Sequence, residues 1–581
     1  MSIIRSRLKY GFIPTRRLVD EDENCHFIFP EAPVETHSHI DEKGSLEKVL
    51  STEVSDQQQT FEYRDEKDRK WYKFFDEYEY RVTNKVKSNR KWYHWFHDDD
   101  TAAERRVIVK IDILLTLYSL MAYWVKYLDQ TNLTNAYVGG LEQAIDMKGN
   151  DFIKTQVMFT VGNIIFQIPF MYILYAFPLN YVLPSLDLGW SILTISLYRV
   201  KNVPSLKALR FFIGGFEATS YIAYHSLFAS WFKGGTGEVS RRAGFYYLGQ
   251  YLGILTSGLL SGAIERHMGG INGLEAWQWI FIIDGIISVV VGVLGFYMLP
   301  GTPEDCYSIF LSDDDIRIAR KRMLDDQKGF KPRENVVKYF FDIKLLKSIF
   351  TSWHVYVLCL WNIFCWNNSN MSTGAFALWL KSLTNADGKP RFGPGELQDY
   401  TALPPGLGLL WLTITCSIAD LFNTRTGAII FSQVFNVLGN VLLAVWDLPE
   451  GAKWFGFCVS SFGWAMAPVL YSWLGDISRK DIRERNIMLV ICNIIAQQST
   501  AWTSVLVFPT VEAPRFLKGY SFTAASGVAL SLWTFVVLYF YKKDERANAK
   551  DNGIIIFNSA TDPDFAASEL DDGVEESKKV D

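Results

Sequence analysis

Charged and apolar territory alternate along this chain in long blocks. Residues 1–101, 302–347 and 542–581 are polar, and the two blocks between them are strongly apolar. Inside those blocks, runs of roughly 20 apolar residues recur at short intervals, the length that crosses about 30 Å of hydrocarbon. The pattern predicts twelve membrane helices: 111–138, 155–176, 181–198, 206–228, 243–264 and 277–299, then 352–372, 400–422, 427–446, 454–474, 488–507 and 522–541. Six spans, a long hydrophilic connection and six more predict an all-α membrane protein of two parallel six-helix halves, each holding inverted three-helix repeats. The expected domains are a cytosolic N-terminal region (1–105), a first bundle (106–300), a cytosolic central loop (301–350), a second bundle (351–541) and a cytosolic tail (542–581).

Composition changes this picture little. Mean hydropathy is close to zero because the polar blocks offset the apolar ones. A net charge of -5 leaves no nucleic-acid footprint. Five of the seven cysteines, Cys359, Cys365, Cys416, Cys458 and Cys492, fall in predicted spans, with neither a disulfide framework nor metal-ligand spacing. No cofactor is expected. The opening MSIIRSRLKYGFIP lacks a signal-peptide core, so the N-terminus is expected to stay cytosolic. Basic flanks place both termini and the central loop on that side: Lys85, Lys87, Arg90, Lys91, Arg105 and Arg106; Arg317 to Arg333; Lys542, Lys543 and Arg546. Arg479, Lys480, Arg483 and Arg485 agree, while Arg199, Lys201, Lys389, Arg391 and Arg515 fall on the other side.

Outside the spans, residues 1–59 and the acidic tail after Lys550 read as disordered. Arg69 to Phe96 mixes aromatic residues with both charges. It reads either as an amphipathic element on the membrane surface or as a helix docked on the bundle.

Charges inside spans carry the candidate chemistry. Arg210 and Glu217, in LRFFIGGFEA, are two turns apart on one helix face. Such residues are costly in hydrocarbon, so they pair, face a cavity or carry function. One reading is an ion pair pinning the fourth span to a neighbour; the other has Arg210 attracting an anion while Glu217 takes up and releases a proton. In the first span, KYLDQTNLTNA sets Lys126 and Asp129 three residues apart, close enough to pair, with Asn132 extending their face. These line a wet cavity or are solvated at the outer interface. Asp187 and Asp284 are further buried acids, for a relay or for helix-end hydrogen bonds, and His225 reads as a satisfied interior histidine. WNIFCWNNSN offers Asn362 and Trp366 to an organic solute, or Trp366 as an interfacial anchor. Gly249/Gly253 and Gly258/Gly262 predict close helix packing. The glycan acceptor patterns at Asn132, Asn367 and Asn370 sit in or against spans, which argues against their use.

YLDQTNLTNAYVGG, LRFFIGGFEA, WQWIFIIDG, FLSDDDIRIARKRM and SIADLFNTR make the chain, from about Arg106 to Lys543, resemble the fungal allantoate permease family of anion:cation symporters in the major facilitator superfamily. The resemblance implies proton-driven import of small organic anions across the plasma membrane. It gives Arg210 anion binding, Glu217 proton coupling, and Asp420 and Arg425 the gate motif that clamps neighbouring helices. Two departures stand out: Gln130 replaces a common arginine, with Lys126 one turn earlier as a substitute, and residues 176–181 lack the charge of the matching loop. A zwitterion fits the Lys126/Asp129 pair as well as an anion does.

The expectation is a secondary active transporter. Arg210 and Lys126 would hold a carboxylate, Asn132, Asn362 and Trp366 would shape the pocket, and Glu217 with Asp129 would carry protons. Its partners are the lipid bilayer, protons and a small anion or zwitterion. A nutrient sensor and a passive facilitator are the alternatives. No nucleophile–base or metal constellation supports an enzyme.

Overall fold

The computed structural model describes residues 14–17, 62–67, 69–81, 95–96, 100–233, 238–325, 343–478, 482–550 and 552–559. Each of the twelve predicted segments is helical: span 1 (Ala102–Ala144), span 2 (Asp151–Ala176), span 3 (Leu179–Ser196), span 4 (Val203–Glu217 and Ser220–Trp231), span 5 (Glu238–His267), span 6 (Ala276–Met298), span 7 (Trp353–Asn367 and Ala375–Ser382), span 8 (Pro394–Leu421), span 9 (Arg425–Val445), span 10 (Glu450–Ile477), span 11 (Ile482–Val507) and span 12 (Leu517–Ala547). Among the described residues, seven of these stretches meet the length and apolarity needed to cross a membrane.

Local chemistry explains where the helices depart from the hydropathy bounds. Span 1 begins ahead of its apolar run because Thr101 and Glu104 form a capping box. Span 4 opens on Asn202, whose side chain accepts from the Ser205 amide, with proline in the first turn. It then breaks after Glu217. Span 7 unwinds after Asn367, and Gly374 takes the left-handed conformation there (φ 74°). Backbone released inside a membrane protein needs internal partners, and a side-chain amide supplies one at Asn368 while the neighbouring Asn370 side chain is held by another. Asn436 donates to the Asn368 carbonyl (2.8 Å), and Asn370 donates to Asn440 Oδ1 (3.0 Å). All three acceptor-pattern asparagines are buried.

The glycine pairs of span 5 face two different neighbours. A Cβ on Gly249 or Gly253 would meet span 1 backbone, Leu120 O at 2.6 Å and Trp124 O at 2.5 Å. On Gly258 or Gly262 it would meet span 8, Gln398 O at 3.0 Å and Gly395 O at 2.9 Å.

Two compact units emerge: residues 1–19 with 95–537, and residues 20–94 with 538–581. In the first, Pro14–Arg17 is held rather than disordered. The Arg17 guanidinium donates to Ser308 O (3.2 Å) and Asp313 Oδ1 (2.7 Å), and the Tyr181 hydroxyl donates to Pro14 O. In the second unit, the strand Ile554–Phe557 corrects the unstructured reading of the tail over those residues. Glu62–Asp65 pairs in parallel with Ile554–Phe557, next to a short 3-10 helix at Trp71–Phe75. Arg69 binds Glu79 (2.7 Å), which also accepts from Lys542, and Arg81 binds Glu545 (3.1 Å). The rest of 1–59, Lys85 to Tyr93, Lys328, Lys331, Arg333, Arg479, Lys480 and 560–581 lie outside the described residues.

Candidate transport site

A cavity of about 260 Å³ lies within the first unit, lined from spans 1, 2, 4, 5, 7, 8, 10 and 11. Two cations within spans reach it: Lys126 and Arg210 are wall residues, as is Gln130. Opposite them stand Trp366, Asn370 and Tyr471, and span 11 adds Asn493 and Gln497.

The carboxylates sit behind the cations, outside the cavity wall. Spans 1 and 4 run antiparallel, so the later residue of one meets the earlier residue of the other. Asp129 therefore lies 3.9 Å from Arg210, and Glu217 lies 3.6 Å from Lys126. The expected Lys126–Asp129 pair is replaced by these two crossed pairs. Close approach of span 4 to span 2 is made by glycine: a Cβ on Gly214 would overlap Phe159 O (2.0 Å), and one on Gly162 would overlap Phe211 O (1.9 Å). Arg210 then stacks over the Phe159 ring, 5.0 Å from its centroid.

The break in span 4 also has a use. Because the helix ends at Glu217, its carbonyl is free to accept from Lys126 Nζ (3.2 Å) and from the Ser220 hydroxyl (3.1 Å). A cation at a helix C-terminus is additionally favoured by the peptide dipoles. The Glu217 carboxylate accepts from Gln130 Nε2 through Oε2 (3.1 Å), while Oε1 has no hydrogen-bond partner. Gln130 is thus a partner of the acid, a role that its departure from the family pattern did not suggest.

Other predicted residues lie elsewhere. Asn132 does not line the cavity; its Oδ1 accepts from Ser257 of span 5 (2.8 Å). Asn362 supports the wall from behind, since its Oδ1 accepts from the Tyr471 hydroxyl (2.9 Å), which in turn accepts from Trp366 Nε1 (2.7 Å). Arg425 pairs with Asp476 of span 10 (2.8 Å), and Asp420 is within electrostatic reach of Arg241 in span 5. Asp284 bonds no helix end: both its oxygens are buried without a hydrogen bond, and its charged neighbour is Asp129.

The sequence reading missed the tyrosines that floor the cavity. The Tyr247 hydroxyl donates to that of Tyr221 (3.0 Å), and the Tyr247 and Tyr471 rings lie nearly parallel (13°) with centroids 6.3 Å apart. Tyr123 and Tyr127 recur at helical spacing in span 1 next to Lys126, which was the available signal.

This arrangement, an internal cavity between helical halves with charges from broken and facing helices set in a largely apolar wall, is that of a solute carrier. The family model described as Major Facilitator Superfamily matches residues 120–549, and the chain belongs to that superfamily. It is a multi-pass membrane transporter, not an enzyme. It is 36% identical over 553 residues to the vitamin H transporter of Saccharomyces cerevisiae, covering 93% of this chain and 91% of that protein. It is 27% identical over 446 residues to the pantothenate transporter liz1 of Schizosaccharomyces pombe, covering 76% and 84%. The xylose transporter XylE of E. coli, solved with a bromodeoxyglucose, shares the fold with a TM-score of 0.57 at 15% identity, over 74% of this chain and 95% of that one.

Proposed function

We propose that this transporter imports a small carboxylate-bearing nutrient across the plasma membrane by proton symport and alternating access, with both termini cytosolic, and that it falls in the anion:cation symporter branch with the allantoate permeases. The observation that carries the reading is the placement of charge: two cations on the cavity wall, each backed by a carboxylate the solute does not reach. A solute carboxylate bridges Lys126 and Arg210, while its uncharged remainder packs on Trp366 and Tyr471 and meets the amides of Asn493 and Gln497. Asn132 and Asn362 act one layer back, fixing span 5 and Tyr471. The cavity lies just below the roughly 300–1,000 Å³ usual for small-molecule sites, and suits vitamin acids of the kind named for the two relatives.

Glu217 and Asp129 are the proton carriers in this reading. A carboxyl beside a cation gains or loses its proton according to where that cation is engaged, so solute and proton occupancy are coupled. In cells lacking their own carriers, labelled biotin and pantothenate should accumulate, and a protonophore should stop accumulation. Glu217→Gln should abolish uphill uptake and leave solute exchange measurable; uphill uptake surviving that change would remove the coupling role.

A further inference from the structure

A second, far smaller chamber lies behind Lys126. It measures about 10 Å³ and is lined by Lys126 and Tyr123 of span 1, Asp187 and Trp190 of span 3, Glu217, Ser220 and Tyr224 of span 4, and Tyr246 of span 5, among others. That volume admits one water, which needs two to four polar partners. The partners are present. Glu217 Oε1 and the Tyr246 hydroxyl are buried without hydrogen bonds, and Ser220 and Lys126 Nζ stand 3.0 Å apart beside them. Lys126 and Tyr123 belong to the walls of both chambers.

Asp187 is a wall residue of this chamber. Its carboxylate accepts from Trp190 Nε1 (3.2 Å) and from the Tyr118 hydroxyl (3.5 Å). Tyr118 lies two turns before Lys126 on span 1, so Asp187 is displaced from Glu217 toward the end where span 1 begins. The groups facing Asp187 are Lys126 and Tyr118 from span 1, Glu217 and Tyr224 from span 4, and Tyr246 from span 5. Span 6 also packs here, but its acid, Asp284, faces Asp129 instead.

We propose that Glu217, a single water and Asp187 form a proton path that leaves the solute cavity behind Lys126, with Asp187 the next proton-holding group. This extends the proton-symport reading of Glu217. In the step, the Glu217 carboxyl gives its proton to the water as the water gives one to the Asp187 carboxylate. One O–H bond breaks and one forms at the water oxygen, the water is regenerated, and the negative charge moves to Glu217 beside Lys126.

The test uses the purified full chain in lipid vesicles. Infrared difference spectra across a pH step report protonated carboxyls by their carbonyl stretch, and no solute is needed. Among the bands of the unmodified protein, one should vanish in Glu217→Gln and another in Asp187→Asn. Tyr246→Phe, which removes a partner of the water, should shift both. An Asp187→Asn spectrum identical to the unmodified one overturns the path. Where Asp187→Asn does not fold, Tyr246→Phe decides: two unmoved bands overturn the shared water. A silent Glu217→Gln is a different failure, and sinks the coupling reading itself.

Discussion

Span 1 carries two buried ionic clusters, and they are built on opposite principles. Near its start, Asp112 receives the Arg242 guanidinium on both oxygens (2.7 and 2.8 Å) and the Trp95 indole besides (2.7 Å). Close by, Lys110 reaches Asp315 at 2.5 Å. At mid-span the pairs stretch to 3.6 and 3.9 Å, and Arg210 Nε, Arg210 Nη1 and Glu217 Oε1 have no hydrogen-bond partner. A bidentate, fully bonded cluster has one good arrangement. A half-bonded cluster in low dielectric is costly as it stands, and it gains from whatever completes it: a proton, a water or a solute carboxylate. The first holds the protein together; the second is where transport chemistry belongs.

The largest test of that contrast removes one arginine from each. Arg242→Ala strands Asp112 in a buried site, at a cost of about 3–5 kcal/mol. It should lower the melting temperature of the purified protein sharply, or abolish the folded product. Arg210→Ala should lower the melting temperature less while uptake disappears, because Asp129 is held only at 3.9 Å and can take up a proton when its cation is gone. Equal melting losses would erase the distinction.

Gln130→Ala offers a finer cut. It removes the hydrogen bond to Glu217, a contribution of about 1.5–3 kcal/mol for a charged acceptor. The pH dependence of uptake should shift toward higher pH, because the ionised acid loses a stabilising donor. An unmoved pH profile would detach Gln130 from the coupling group.

The smallest effect belongs to the second unit, whose ionic cluster is of the well-bonded kind. Burial works against the charged form of Glu79, but hydrogen bonds from Arg69 and Lys542 prevail and hold its carboxyl below the ordinary value of 4.5. A depressed carboxyl contributes stability that is present above its unfolded value and lost as pH falls through the folded one. Hydrogen-exchange protection of the Glu62–Asp65 ladder should therefore decline below pH 4.5, and Glu79→Gln should flatten that decline.

Much of the bundle was legible because a membrane span announces itself by an apolar run of fixed length. Arg210 and Glu217 were conspicuous for the same reason, as charges within such a run. What the sequence concealed depends on which face meets which neighbour. LRFFIGGFEATSYIAYH reads as one apolar helix, and nothing in it marks the break after Glu217 that exposes a carbonyl to Lys126. Lys126 and Asp129 invite pairing by their spacing, yet the antiparallel neighbour claims each of them. Asn132 and Asn362 have the chemistry of a binding site, but rotation about their helices points them at Ser257 and Tyr471. The parallel pairing of residues 62–65 with 554–557 joins segments almost five hundred positions apart, beyond the reach of local pattern.

Span 5 gives the architecture a further property. Against span 8 it packs closely at Gly258 and Gly262, but side chains fasten the contact as well: Tyr251 seats against Gly408, and Arg266 pairs with Asp399 (2.6 Å). On the other side, Gly249 and Gly253 lie flush on span 1 beside hydrogen bonds such as Trp124 to Thr256 (2.7 Å) that fix the register. One rod thus has a fixed seam with its own half and a charged clasp on the other, and any shift between the halves has to open that clasp.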